Sequence, residues 1–112
     1  MIKTKVSTTI LLLIFNFFYI LPIQAVNLEK GKTLFLQNCI GCHKGGNNLI
    51  IPEKNLKKLT LEANGMYSIE AITYQVLNGK NGMPAFGGRL QEEEIETIAE
   101  YVIFSSDKNF DL

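Results

Sequence analysis

Apolar residues recur over residues 91–104 as Ile95, Ile98, Ala99 and Val102, at i, i+3, i+4 and i+7. That spacing predicts an amphipathic helix with one buried stripe. Glu92, Glu93 and Glu94 crowd its first turn, where the positive end of the helix dipole favours acids. Gln91 holds the cap position; Gln is not a favoured cap, so this end is expected to fray. A second helical pattern opens on the capping residue Ser68, carries Ile69, Ile72, Thr73 and Val76, and stops at Asn78-Gly79. Upstream, residues 28–38 follow the N-cap Asn27, with Glu29 in the first turn and Leu28, Gly31 and Phe35 on the inner face. A shorter helix is expected over residues 55–63, with Leu56 and Leu59 inward. No stretch alternates with period two over the length of a strand, and glycine-bearing loops at 45–52 and 79–88 join the helices. The expected fold class is all-α, with about four helices.

The start of the chain has a different pattern. Lys3 and Lys5 precede an apolar run over residues 10–21 broken only by Asn16, and Pro22-Ile23-Gln24-Ala25 follows. A charged start, a short apolar stretch and a small residue at the end form the layout of a secretory signal. The run is shorter than the roughly 18 residues that a membrane-spanning helix needs, which argues against a retained anchor. Residues 1–25 are therefore expected to be a removed signal peptide, and residues 26–112 the working domain. The leader has no arginine pair and is not Ser- and Arg-rich, so twin-arginine export and an organelle transit peptide are disfavoured.

Removal of the leader leaves 87 of the 112 residues, room for one domain only. Chains below roughly 70–80 residues need a covalent or metal staple, and this one lies near that edge. Two cysteines and one histidine are the obvious material for it. Lysine plus arginine and aspartate plus glutamate balance at 11 each in the full chain, and Arg89 is the sole arginine, so a nucleic-acid binder is not expected.

Cys39-Ile40-Gly41-Cys42-His43 reads C-x-x-C-H, the attachment signature of a c-type haem. Two thiols three residues apart at a helix end can each add to one vinyl group of a porphyrin, and the next residue then offers an imidazole to the iron. Three other readings compete. A thioredoxin-like C-x-x-C needs a preceding strand and a βαβ setting, which the pattern lacks. A structural zinc needs four ligands, and the chain holds three Cys and His in all. A local disulfide, or two free thiols beside an incidental histidine, is the plain alternative in an exported domain.

With the porphyrin occupying four iron positions and His43 a fifth, methionine is the natural sixth ligand of an electron carrier, and its soft thioether raises the reduction potential. Met1 leaves with the leader, and Met66 reads as core filler. Met83 lies 40 residues after His43, in a loop bracketed by Gly79, Gly82, Pro84, Gly87 and Gly88, far enough to cross to the opposite haem face. Two protein ligands leave no position for dioxygen, peroxide or substrate. That argues for outer-sphere electron transfer rather than an enzyme, and against a gas sensor.

Longer runs carry a resemblance. Glu29-Lys30-Gly31-Lys32, the Cys39–His43 motif, Gly45-Gly46-Asn47-Asn48, Leu61-Glu62-Ala63-Asn64, Ala71-Ile72-Thr73-Tyr74-Gln75-Val76, Asn78-Gly79-Lys80-Asn81 and Met83-Pro84-Ala85-Phe86-Gly87-Gly88-Arg89-Leu90 together span nearly all of the chain after Asn27. In these the sequence closely resembles the cytochrome c6 family of algae and cyanobacteria. The resemblance implies a small class I cytochrome c fold, about four helices wrapped around one covalent haem c. It assigns Cys39 and Cys42 to attachment and His43 and Met83 to the iron, and it places Gln75 near the haem. It implies a soluble monomer, not membrane-embedded, that carries electrons from cytochrome f of the b6f complex to photosystem I in the thylakoid lumen of a plastid or its cyanobacterial equivalent. A respiratory carrier that donates to a terminal oxidase uses the same site chemistry and is the alternative.

A shuttle must bind briefly, so an apolar patch at the haem edge and steering charges are expected. Pro84, Ala85 and Phe86 neighbour Met83, with Phe86 read either as patch or as core. Arg89 is placed at the docking rim, against the alternative of a structural partner for a carboxylate.

Overall fold

The structure, a computed structural model, describes residues 23–111. Most of the expected signal peptide lies outside the described residues. Five α-helices are present among them: α1, Ile23–Asn38; α2, Ile40–His43; α3, Lys58–Ala63; α4, Ile69–Asn78; and α5, Glu92–Asp107. Two 3-10 turns, Lys44–Gly46 and Pro52–Lys54, lie between α2 and α3. Two isolated bridges, Lys80 with Met83 and Gly87 with Leu90, are the only β pairings of the described residues. The all-α expectation holds. The helix beyond the expected four is the single turn that carries the C-x-x-C-H residues.

α5 is the spine, packed against both α1 and α4. Its predicted stripe is buried: Ile95 and Ala99 are fully covered, with Ile98 and Val102 nearly so. Phe35, Leu61, Ile72, Val76, Phe86 and Tyr101 complete the core. α1 crosses α5 at Gly31. A β-carbon there would sit 2.4 Å from the Thr97 carbonyl oxygen and 2.8 Å from Tyr101 Cβ, so only glycine admits the approach. One turn on, the Phe35 ring packs on Tyr101 with centroids 5.4 Å apart, a tilted aromatic pair.

Three local expectations are corrected. The short third helix starts at Lys58, because Asn55 Oδ1 accepts the Lys57 N–H at 3.0 Å and holds residues 55–57 in a turn. The register therefore restarts. Leu61 is buried, Leu56 packs on the core from the turn, and Leu59 faces outward with 80% exposure. At the start of α5 the Gln91 N–H donates to Glu94 Oε2 at 2.9 Å, so the acid three residues on holds an end that was expected to fray. α1 already runs from Ile23, beyond the expected start near Leu28. Ser68 behaves as expected: its Oγ accepts the Ala71 N–H at 3.1 Å.

A surface cluster ties the α3–α4 connection to the last turn of α5. Asp107 Oδ1 accepts from the Tyr67 hydroxyl and lies 3.0 Å from Lys58 Nζ. The Tyr67 hydrogen bond, then that of Lys58, holds the Asp107 carboxyl below its usual 3.8. The same contacts raise Lys58 and Tyr67 above their ordinary values. A depressed carboxyl stabilises the fold above its unfolded pKa, and that contribution is lost as pH falls through the folded value. The raised Lys58 and Tyr67 contribute below their unfolded values, and their share is lost at alkaline pH. Asp107→Asn should lower the melting temperature at neutral pH, with a deficit that shrinks as pH falls below 3.8. A pH series of thermal melts on parent and variant checks this.

Candidate cofactor site

α1 ends where Cys39 leaves helical geometry at φ −120°, and its N–H still reaches the Phe35 carbonyl at 2.8 Å. The Cys42 and His43 N–H groups both return to the Cys39 carbonyl, at 3.2 and 2.9 Å, which makes α2 a single tight turn. Cys39 and Cys42 thus stand three residues apart on one turn, and both are free thiols. Cys39 is half-buried; burial, followed by the neighbouring Cys42, pushes its thiol up to about 11. Cys42 is exposed.

The His43 imidazole is oriented by backbone. Its Nδ1 lies 2.9 Å from the Asn47 carbonyl oxygen. A carbonyl only accepts, so Nδ1 carries the proton and the Nε2 lone pair is left for a metal. The 3-10 turn Lys44–Gly46 brings Asn47 back to this position, with the Asn47 N–H donating to the Lys44 carbonyl at 3.2 Å.

Across the site, Lys80 and Met83 exchange both backbone hydrogen bonds at 3.0 Å around Asn81-Gly82. Both central residues have positive φ, 45° and 69°, the geometry of a type I′ turn, for which Asn-Gly is the favoured pair. Gly79 stands just before it at φ +68°, and a β-carbon there would meet the Met83 carbonyl oxygen at 2.6 Å. Beyond Met83 the Phe86 and Gly87 N–H groups donate to the Val76 and Leu77 carbonyls at 2.8 and 3.1 Å. The methionine loop is therefore pinned at both ends to the last turn of α4. From α4, Gln75 Nε2 lies 3.6 Å from Met83 Sδ and donates to it.

These elements enclose one cavity of about 410 Å³, within the range of pockets that hold ligands of cofactor size. Cys39, Cys42 and His43 lie on its wall, as do Met83 and Gln75. Much of the remaining wall is core: Phe35, Ile72, Val76, Phe86, Ile98 and Val102. Met66 also reaches the cavity, so the structure brings both internal methionines to it. Both pack against the core, but Met83 sits in a hydrogen-bonded turn with the Gln75 amide on its sulfur, whereas Met66 lies just after α3. Two thiols, an imidazole with a free Nε2, a thioether and an apolar wall form the donor set and shape that a c-type haem requires. Among the described residues there is no strand to support a thioredoxin setting. Nor is there any group of three or more His, Cys, Asp and Glu side chains placed to hold a metal ion such as zinc.

Arg89 is exposed and does not border the cavity; its guanidinium stacks over the Phe86 ring at 5.7 Å. Phe86 is core, only 9% exposed, while Pro84 and Ala85 remain exposed. Sequence reasoning assigned no role to Asn47 or Asn48. Asn48 Oδ1 accepts the Ile50 and Ile51 N–H groups at 3.0 and 2.9 Å, and its amide donates to the Lys54 carbonyl at 2.9 Å, holding the loop that forms one wall. The Gly45-Gly46-Asn47-Asn48 string was the available signal: the partners of both asparagines lie within six residues, but residue type alone does not say which way such a turn closes.

Residues 26–102 match the family model described as cytochrome c oxidase, cbb3-type, subunit III, a cytochrome c domain. Cytochrome c6 from Bumilleriopsis filiformis is 58% identical over 85 residues, covering 76% of this chain and 99% of that one. Cytochrome c6 from Pyropia yezoensis is 52% identical over 109 residues, 95% of this chain and 99% of its own length. The structure of cytochrome c6 from the diatom Phaeodactylum tricornutum superimposes with a TM-score of 0.71 at 45% identity, over 73% of this chain and 97% of that one. Fold, site and relatives agree, and the chain belongs to the cytochrome c6 family, c-type cytochromes that bind haem c and carry electrons.

Proposed function

We propose that this protein is a soluble, non-enzymatic shuttle that carries one electron at a time from cytochrome f of the b6f complex to photosystem I in the thylakoid lumen, with one covalently attached haem c. The observation that carries the reading is that one apolar cavity has Cys39, Cys42, His43 and Met83 on its wall, so that His43 and Met83 would both bind the iron of a haem held there and leave it no open position. The export-type leader over residues 1–25 supports a lumenal location. The family model named for a cbb3-type oxidase subunit favours a second reading, donation to a terminal oxidase.

Bound at this site, haem c supplies a one-electron iron couple. Cys39 and Cys42 would hold it through thioethers, and His43 Nε2 and Met83 Sδ would bind the iron. The residues around them set its properties. The Asn47 carbonyl keeps the His43 ring in one tautomer and orientation. The Gln75 amide fixes the Met83 sulfur, and the core wall keeps water from the centre, which favours the less charged ferrous state. Pro84 and Ala85, with Ile50 at 57% exposure beside Gly82, form an apolar rim for brief docking. Arg89 lies at its edge, short of the acidic start of α5.

Met83→Ala should leave the haem attached, lower the potential and open the iron to added cyanide or imidazole; loss of the near-infrared iron–sulfur charge-transfer band reports it. Retention of that band would transfer the ligand role to Met66. The Cys39→Ser/Cys42→Ser chain without haem should be mostly unfolded by circular dichroism, with no cooperative melt. Flash-induced donation by the purified haem protein to photosystem I tests the shuttle itself. Arg89→Glu should slow that donation and change its salt dependence, while the haem spectrum and melting temperature stay nearly unchanged. Fast transfer to a terminal oxidase with none to photosystem I would establish the respiratory reading instead.

A further inference from the structure

α5 ends in a Schellman arrangement. The Phe110 N–H bonds the Ser105 carbonyl at 2.8 Å, and the Asn109 N–H bonds that of Ser106 at 3.1 Å. Asn109 at φ 51° is an ordinary left-handed residue for such a cap. Phe110 is not: its φ is 58°, and bulky residues rarely occupy that region. The arrangement needs only one left-handed residue, so the second has another cause. Its effect is to turn the Phe110 ring back onto the turn after α2. A β-carbon on Gly46 would meet the ring at 2.4 Å. The ring also packs against Phe35, with centroids 6.1 Å apart. Lys57 ties the same two segments, since its Nζ donates to the Gly45 carbonyl at 3.0 Å and to the Asn109 carbonyl at 3.2 Å. The clamped turn leads directly into Asn47, whose carbonyl holds His43 Nδ1.

Resting on the haem reading of His43, we infer that Phe110 is a positioning residue for the axial histidine: its ring, locked by Lys57, closes over Gly46 and keeps the Asn47 carbonyl against the imidazole. A rare backbone conformation persists only where its surroundings enforce it, and here they are the segment that orients a ligand. Loosening the clamp weakens the Nδ1–H···O bond. The imidazole then becomes a poorer donor to the iron, and the ferrous state gains.

The test uses the haem-loaded protein. In Phe110→Ala, exchange of the His43 Nδ1 proton, followed by its hyperfine-shifted NMR signal, should quicken by about tenfold. The reduction potential should rise, and Phe110→Trp should restore both. Lys57→Met, which keeps the ring but removes both ties, should shift both readouts in the same direction and carries the test if Phe110→Ala does not fold. Asp107→Asn, which loosens α5 at a different contact, should move neither. If Phe110→Ala or Lys57→Met lowers the melting temperature while exchange and potential stay at the parent values, the ring is only packing and the inference is overturned. A parent protein with no hyperfine-shifted His43 signal would overturn the haem ligation itself, a separate result.

Discussion

The core of this protein is not closed on itself. Phe35, Ile72, Val76, Ile98 and Val102 belong to the buried cluster and also face the cavity of about 410 Å³. Apolar surface left facing such a cleft forfeits the stabilisation that burial would give, about 25 cal/mol per Å². The helices therefore pack on one another along α5 and also present an apolar wall to a guest. Short α3, the asparagine-held loop before it and the methionine turn serve as walls for that guest.

The two proposed ligands are held by different means. His43 ends the one-turn helix α2, and its ring is set by a carbonyl four residues on, so local backbone geometry does most of the work. Met83 stands in a two-residue turn whose form depends on Asn81 and Gly82, and its loop is fastened to the end of α4. A histidine on a tight helical turn and a methionine on a pinned loop would have few rotamers left to freeze on binding a metal, the preorganisation that a precise site needs.

Much of this was legible in the sequence because the signals are local. The C-x-x-C-H spacing, the Ser68 cap, the stripe of α5 and the glycine-bracketed methionine loop depend on neighbours within a few residues. Leu59 was misjudged because one hydrogen bond from Asn55 restarts the helical register, and periodicity assumes a helix that has already begun. Gln91 was misjudged because a poor cap was considered without the glutamate three residues on. Lys57 and Phe110 were invisible for another reason: their partners are distant in sequence, and only the folded chain brings a C-terminal phenylalanine onto Gly46.

The crossing at Gly31 has a consequence for how the chain is made. Its contacts, Thr97 and Tyr101, belong to α5, so the first and last helices of the described residues meet across most of their length of chain. Pairings this distant in sequence form late and slowly. During synthesis α1 lacks its main packing partner until α5 has emerged, and the core stripe that closes the domain is the last to be delivered. Until then Phe35 on α1 has no Tyr101 ring to pack against, so the described domain can close only after α5 has been made.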